Sequence, residues 1–406
     1  MSLEIIQVIT LLLSLAGFGL QPNPKAPTAD QALHYALPDA DVIVQLDAGS
    51  IIPANYKVLT NLPNQPQIKA SPELSRMVRK AIGEVEGARS LAKLASGIDV
   101  ATDVNDGTLF LQFVPNRDPN VVAVAHGKFS TAIIDRIAGT AKLPVARVGT
   151  AMMVEIEGGA IAVTKAGTLL AGRPAQLVKD RLADTWKPPT RAAGTNLAFA
   201  AEAINAKPVF SIIVTPSAAL RKEASAELGK TAVSDLIARG KQAAISLYHD
   251  GIGWTWIDRT KAGIESVALM SEGMMDLFKA SQVAPRGFAK LLLGGLESYK
   301  GTNKQIDEVL RRKADVMKLI TAYTGDGNFR VQIDKDPKTM KVTARATARS
   351  LSEVVPFGVV VPFAVIGYFV GAQSGGMAMP PPPPARAAPV TAPAARPGRR
   401  PAAKQP

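Results

Sequence analysis

The sequence of 406 residues contains no cysteine and three histidines. Absence of cysteine excludes disulfides, thiolate metal sites, iron–sulfur clusters and cysteine nucleophiles. The histidines, His34, His126 and His249, are about 90 and 120 positions apart, so no two can form a local ligand pair. Zinc needs three or four convergent Cys, His or carboxylate ligands. We therefore expect no metal, no cofactor and no catalytic residue.

Aromatic residues are also scarce, at 5%, and acidic residues are outnumbered by basic ones, 34 to 47, which gives a net charge of +13. Hydrophobic residues reach 47%, which is enough to build substantial cores. The length suits about two domains of ~150 residues each.

The N-terminal segment, residues 1–22, predicts a signal peptide or an N-terminal anchor. An apolar run from Ile5 to Leu20 has the length of a signal-peptide core and stops at Pro22. No Lys or Arg precedes it, and Phe18 stands where a lipoprotein would need its cysteine, so no lipid is attached there. The alternative is a buried amphipathic or core helix.

A second membrane candidate lies at 354–372, where nineteen residues carry no charge. At ~1.5 Å rise per residue a helix of this length spans ~28 Å, close to a hydrocarbon core of ~30 Å. Membrane helices tolerate internal proline better than soluble ones. The alternative is a hydrophobic strand pair packed on the preceding domain. The residues predicted to be membrane-embedded are Val355, Pro356, Phe357, Val361, Pro362, Phe363, Ile366, Tyr368 and Phe369.

The tail, residues 373–406, is rich in Pro, Ala and Arg. Ten of the 30 prolines and five basic residues, with no acid, lie in 380–406. Proline removes amide donors and fixes φ, so we expect a disordered tail. By the positive-inside rule this tail would be cytoplasmic and the body would lie on the other side of the membrane.

The body predicts an α+β fold of two similar modules, each a mainly antiparallel sheet packed with helices. Module one covers 36–186, a linker region follows at 187–206, and module two covers 207–350. An apolar strand opens each module, at 42–46 and again at 209–214. Helices are predicted near 262–280, 285–299 and 303–323. Asp250-Gly251 favours a hairpin turn, and 329–333 with 340–347 alternate as a half-exposed hairpin. The repeated order suggests internal duplication.

Three short motifs resemble an exported bacterial α+β envelope module that has no known activity: Ala36-Leu37-Pro38-Asp39-Ala40-Asp41, Gly127-Lys128-Phe129 and Gly172-Arg173-Pro174. The resemblance covers about 36–185. It implies an envelope location and an α+β fold, and it names no catalytic residue.

Two motifs are typical of ligand sites but fail on spacing. Gly229-Lys230-Thr231 resembles a phosphate loop, but Ala224 stands where the loop needs glycine, which favours a helix interruption. The acidic run Asp99, Asp103, Asn105, Asp106 and Gly107 resembles a calcium loop, but its register places Phe113 at the position of the bidentate glutamate. A solvated turn is the better interpretation.

Other polar and sulfur-containing groups have ordinary interpretations. None of the histidines adjoins a serine elbow or a HExxH partner, although a triad assembled in space stays open. Glu155 and Glu157, at i and i+2, are expected on one exposed strand face. Met270, Met274, Met275 and Phe278 recur at helical spacing and predict core packing.

The sequence therefore favours a non-enzymatic, membrane-anchored protein of the bacterial cell envelope. Its body would bind or scaffold an unknown protein or ligand on the periplasmic side of the inner membrane. One alternative is nucleic-acid or anionic-polymer binding by the basic tail; its lack of aromatics argues against this role. The other alternative is a hydrolase with a dispersed active site. The oligomeric state is left open.

Overall fold

The computed structural model describes residues 26–64, 97–192, 194–228, 232–298, 300–301 and 328–348, and scattered residues in 76–94 and 307–317. The predicted signal segment, the phosphate-loop-like motif, the nine residues predicted to be membrane-embedded and the tail lie outside these residues. Within them, no helix is both long enough and apolar enough to cross a membrane.

The fold is α+β, as predicted, and is built on one large antiparallel sheet of twelve strands. The first seven strands are β1 Val42–Leu46, β2 Val104–Gln112, β3 Asn120–Gly127, β4 Val145–Val148, β5 Ala151–Ile156, β6 Gly159–Val163 and β7 Thr168–Arg173. The other five are β8 Phe210–Val214, β9 Gly240–Tyr248, β10 Gly251–Asp258, β11 Arg330–Asp336 and β12 Lys341–Thr347. Their order in the sheet is β11-β12-β10-β9-β8-β1-β2-β3-β7-β6-β5-β4.

Helices cover both faces of this sheet. They are α1 Ala29–Ala32, α2 Ala48–Asn61, α3 Val100–Asp103, α4 Ala132–Ala141, α5 Ala175–Leu182, α6 Asn196–Asn205, α7 Ala218–Leu228, α8 Ala232–Arg239 and α9 Lys261–Glu297. A single 3-10 turn, Leu62–Asn64, follows α2. Helix α6 occupies the second half of the predicted linker, and α9 runs through Pro285, where the sequence predicted two helices.

Alternation along the strands divides the core between the two faces. One face carries α1 and α6 on Ile43, Phe110 and Ile213, and α5 packs beside them; we call it the α6 face. The other carries α2 and α9 on Phe210 and Leu247 and is called the α9 face. Period-two alternation buries one set of side chains under each helical layer.

The strand order is the same when read outward from β1 and from β8. From β1 the order is β1-β2-β3-β7-β6, and from β8 it is β8-β9-β10-β12-β11. Strands β2 and β9 have nine residues each, and β3 and β10 have eight each. The register shifts at the same end of both hairpins, where Val104 faces Gly127 and Gly240 faces Asp258.

The antiparallel pair β1–β8 lies between these two halves. Its backbone hydrogen bonds come in matched pairs: Asp41 N–H donates to Leu111 and Val209 N–H to Leu247, both at 2.8 Å. In the same way Thr215 N–H donates to the Asp41 carbonyl at 2.7 Å, and Asp47 N–H to the Val209 carbonyl at 2.8 Å. An approximate two-fold axis through β1–β8 therefore relates the N-terminal half, 26–186, to the C-terminal half, 194–348.

The start of α9 gives a test of close packing. Asp258 is buried, and its Oδ1 accepts the N–H groups of Arg259 and Thr260 at 2.8 and 3.1 Å. A Cβ on Gly263 would lie 2.0 Å from that oxygen. We expect Gly263→Ala to lower the free energy of unfolding by about 1–3 kcal/mol, because the carboxylate must leave its donors. Urea denaturation measures the change.

Gly273 in the same helix is the matched control, since nothing lies within 4 Å of its added Cβ. Gly273→Ala should stabilise the protein by about 0.5–1 kcal/mol, the helix propensity difference. Two changes of the same sign would contradict the packing described around Asp258.

Candidate functional site

A groove on the α6 face lies between α6 and the C-terminal half of the sheet. We call it the α6 groove; its volume is about 250 Å³. The floor of the groove is made by strand residues whose side chains point to the α6 face. Along β12 they alternate with the core residues Val342 and Ala344, which lie on the α9 face. The wall and floor residues used below are Glu202 and Ala203 of α6, Ser246 and Tyr248 of β9, Gly253 and Thr255 of β10, and Lys341, Thr343 and Arg345 of β12.

Two ion pairs lie along the groove. Lys341 Nζ pairs with a carboxylate oxygen of Glu202, and so connects β12 to α6. Arg345 donates to Asp250 Oδ1 at 3.1 Å and stacks on the Tyr248 ring at 4.3 Å from its centroid. Lys341 and Arg345 are four positions apart on one strand, which separates them by ~13 Å. Hydroxyls and a glycine lie between two balanced pairs of charges.

The corresponding surface of the N-terminal half is apolar and covered. By the strand registers, Ser246, Gly253 and Thr255 correspond to Phe110, Val122 and Val124, and Thr343 corresponds to Leu170. These four apolar residues are between 0% and 3% exposed. Helix α5 packs here, with Val178 in one core cluster with Leu170 and with Leu177 against Phe110 and its neighbours.

A polar row extends from the groove into the centre of the sheet. Ser246 and Ser211 share a hydrogen bond of 2.7 Å between their hydroxyls, and the next residues across the strands are Gln45 and Thr108. Gln45 Oε1 and Thr108 Oγ1 are buried and have no hydrogen-bond partner in the described part of the chain. Buried polar atoms normally have partners, so this row is chemically distinct from the apolar core around it.

The structure brings together two histidines that are distant in sequence. His126 Nδ1 lies 2.7 Å from Asp106 Oδ1, and Asp106 is buried. His34 is close to His126: burial lowers the pKa of His34, and the charge of His126 lowers it further. Among the described residues no serine or threonine hydroxyl hydrogen-bonds to His126. A hydrolytic triad would need such a hydroxyl.

The acidic residues at 99–106 do not form the predicted solvated turn, because Asp99 and Asp106 are buried and interact with protein groups. Asp99 caps α3, and its carboxylate accepts two hydrogen bonds of 2.7 Å from the Arg89 guanidinium. These bonds hold the pKa of Asp99 at about 2. Asp103 accepts the Asp99 N–H at 2.8 Å. In the described ranges no three His, Cys, Asp or Glu side chains converge as metal ligands.

Two further predictions need a comment. Glu155 lies on β5 and pairs with Lys179 at 2.8 Å, but β5 ends at Ile156, and Glu157 takes a positive φ of 46° in the following turn. The expectation that the two carboxylates share a strand face was therefore wrong. In α9, Met275 and Phe278 are core residues, whereas Met270 is 42% exposed.

Sequence reasoning missed the α6 groove. The sequence signal for the groove is the set of polar residues that alternate with the core residues of β12, namely Lys341, Thr343 and Arg345. This pattern is the same as that of an ordinary solvent-exposed strand face. Only the position of α6 above these residues makes a groove of them.

Comparisons with known proteins give distant structural similarity only. No family model matches the chain, and no curated protein matches it. Crystal form I of TP0453 aligns with a TM-score of 0.33 and 8% identity, covering 83% of this chain and 98% of that one. Crystal form III gives the same score and identity with 81% and 97% coverage, and form IV gives 0.26 and 9% with 59% and 80%.

Proposed function

We propose that this protein is a non-enzymatic binding or scaffolding protein of the bacterial cell envelope, and that its α6 groove docks a short polypeptide segment. The observation that carries the docking role is the position of the groove. In the N-terminal half the corresponding position is filled by α5, which packs beside α1 and over the strands that correspond to the floor strands of the groove.

The polar floor sets the chemistry of the docked segment. A helix as apolar as the inner face of α5 would leave the hydroxyls of Thr255 and Thr343 without partners, at a cost of about 1–3 kcal/mol for each one buried. The Ser246 hydroxyl already has a partner in Ser211. The segment must therefore supply hydrogen-bonding groups as well as apolar contacts. Its charged ends would face Glu202–Lys341 and Asp250–Arg345.

We also infer that the body is an internally duplicated module. Support comes from the common strand order, the equal strand lengths and the equivalent register shifts in the two hairpins. Helices α1 and α6 begin alike, each with a threonine, Thr28 or Thr195, whose hydroxyl accepts an N–H from the first turn. Extra strands β4 and β5 distinguish the N-terminal half. Duplication explains how one half came to be closed while its copy acquired a polar groove.

The envelope location rests on sequence features. These are the apolar segments 1–22 and 354–372 and the basic tail, which together favour a periplasmic body, an inner-membrane anchor and a cytoplasmic tail.

A thiol-labelling experiment tests this location, and the absence of cysteine gives it a zero background. Leu277→Cys places a thiol on the body, where the side chain is 66% exposed. Ala387→Cys places one in the tail. With a membrane-impermeant maleimide on cells whose outer membrane is permeabilised, we expect the body thiol to react and the tail thiol to react only after lysis.

Protection of Leu277→Cys until lysis would place the body in the cytoplasm and reject the proposal. Reaction of both thiols before lysis would reject the spanning anchor at 354–372. The unmodified chain, carried through the same steps, controls for labelling of groups other than thiols.

A further inference from the structure

Large apolar side chains are exposed along the outer side of α9. In the described part of the chain, five of the seven exposed large apolar side chains belong to this helix. Four of them are between 49% and 76% exposed: Leu269, Leu277, Val283 and Leu291. The opposite side of the helix packs on the sheet through Met275 and Phe278. Soluble proteins rarely leave a long apolar strip uncovered, so this strip indicates a contact surface.

Five residues of the strip form a line along the helix that is symmetric about its centre. At about 100° per residue they fall within about 40° of one another. These five residues, which we call the α9 seam, are Leu269, Gly273, Ala280, Gly287 and Leu291. The two leucines lie eleven positions on either side of Ala280, and the two glycines lie seven positions on either side. An added Cβ at either glycine would meet nothing within 4 Å, so this side of the helix is open.

Charged residues lie along one flank of the α9 seam and are divided by sign. The two acids, Glu272 and Asp276, precede Ala280 in the helix. The two bases, Arg286 and Lys290, follow it. All four lie on the same side of the seam, about 40–120° from its centre line. A second copy that runs antiparallel would bring its bases beside these acids and its acids beside these bases, whereas a parallel copy would place the two charged flanks on opposite sides of the pair.

We propose that α9 pairs with α9 of a second copy of this chain, antiparallel and two-fold symmetric about Ala280. Each residue before Ala280 then meets one equally far after it, so Leu269 lies against Leu291 of the second copy. Glycine and alanine in the seam let the two helices approach to about 8 Å. Leu277 borders the seam on the side away from the charges and stays accessible to solvent. The contact lies on the α9 face and is independent of the α6 groove on the other face.

The size and the charge of this surface fit a second copy better than a lipid bilayer. From Leu269 to Leu291 the helix is ~33 Å long, and with a width of ~12 Å two such strips bury on the order of 800 Å². That area is typical of weak, reversible contacts. Because the flank carries equal numbers of acids and bases, it offers no net positive charge to anionic headgroups.

Single cysteines in the full chain test this pairing, since the chain has no cysteine of its own. Ala280→Cys lies on the two-fold axis, where the thiols of the two copies come close enough for a disulfide. Leu269→Cys and Leu291→Cys are the matched controls, because in an antiparallel pair each lies ~33 Å from its own copy along the helix. We expect mild oxidation to convert Ala280→Cys to a covalent dimer at least about tenfold faster than either control alone, measured on non-reducing gels.

Mixing the two controls gives a second result that only the antiparallel pair predicts. Leu269→Cys mixed with Leu291→Cys should form a disulfide between the two variants, since these positions meet across the pair. Mass spectrometry of non-reduced peptides identifies the link.

Reversal of charge tests the flank in the cysteine-free chain, with the dissociation constant of the dimer measured by sedimentation in mild detergent. Glu272→Lys should raise this constant at least about threefold, because the new lysine faces Lys290 of the second copy. Adding Lys290→Glu should restore most of the affinity, since the two charges then have exchanged places. Equal weakening in the single and the double variant would contradict the pairing of these flanks.

The cross-linking rates decide between the occupants of the α9 seam. Equal rates at 269, 280 and 291 would overturn the inference, and so would rapid linkage of Leu269→Cys to its own copy, which is the result for a parallel pair. Absence of the Ala280→Cys disulfide would overturn it as well, and shielding of that thiol from a maleimide by anionic lipid vesicles would then assign the surface to lipid. None of these results involves the α6 groove, so the proposed function is judged separately.

Discussion

Replacing Asp41 by alanine is expected to destabilise the protein by about 3–5 kcal/mol. The side chain is 1% exposed, and its carboxylate accepts two backbone N–H groups, from Phe113 at 2.7 Å and from Ser217 at 2.6 Å. Phe113 follows β2, and Ser217 follows β8, so one carboxylate ties the two halves of the sheet together. Alanine removes two hydrogen bonds from part-buried donors to a charged group, and each such bond contributes about 1.5–3 kcal/mol.

Asp39→Ala provides the matched control, because Asp39 is exposed and lies two positions earlier. Its effect should stay within about 0.5 kcal/mol, as for most surface substitutions. Urea denaturation of both variants gives the comparison. An Asp41→Ala loss below about 1 kcal/mol would mean that the donors find other partners and that this carboxylate does not join the halves.

Arg181→Met should be the second largest change, with a loss of about 2–4 kcal/mol. The guanidinium donates to the carbonyls of Tyr35, Ala36 and Leu177, and it stacks 4.8 Å from the Trp186 ring centroid. Burial lowers the pKa of Arg181, but arginine stays charged at any physiological pH. Methionine keeps most of the apolar stem and removes every donor, so the change isolates the hydrogen bonds.

Lys179→Met on the same helix is the control. Its partner Glu155 is 52% exposed, and pairs of this kind contribute about 0–1 kcal/mol. Thermal unfolding followed by circular dichroism distinguishes the two variants. Equal shifts in Tm would show that α5 is held by apolar packing alone and that the Arg181 contacts to 35–36 are incidental.

Individual strands were predictable because their signals are local. The alternation of Met340, Val342, Ala344 and Ala346 predicted one face of β12. The last three are fully buried, whereas Met340 precedes the strand, has a positive φ of 54° and is half-buried. Asp250-Gly251 predicted the hairpin of β9 and β10, which the structure contains. Its two turn residues are His249 and Asp250, one position earlier than predicted, because Gly251 already pairs with Tyr248. The strand alternation depends on side chains two residues apart, and the hairpin depends on one turn. Both features can therefore be recognised from a few consecutive residues of the sequence.

Errors arose where packing overrides local propensity. The sequence predicted separate helices near 262–280 and 285–299, but α9 continues without a break to Glu297 while its earlier part is held on the sheet by Met275 and Phe278. The 187–206 region has the composition of a linker, but residues 196–205 form α6, whose Leu197, Ala200 and Ile204 are buried. A proline or glycine ends a helix only when tertiary contacts do not outweigh the free-energy cost of keeping that residue inside the helix.

The sequence by itself determined the α+β class, most strands and turns, and the chemistries that a chain without cysteine lacks. The tertiary structure alone decided that both halves share one sheet, that Asp41 joins them, that His126 meets Asp106, and that hydroxyls of β9, β10 and β12 lie under α6. The reason is physical: these features join residues 20 to 176 positions apart. Such contacts form only when strand pairing and burial act over the whole chain, and no local pattern records them.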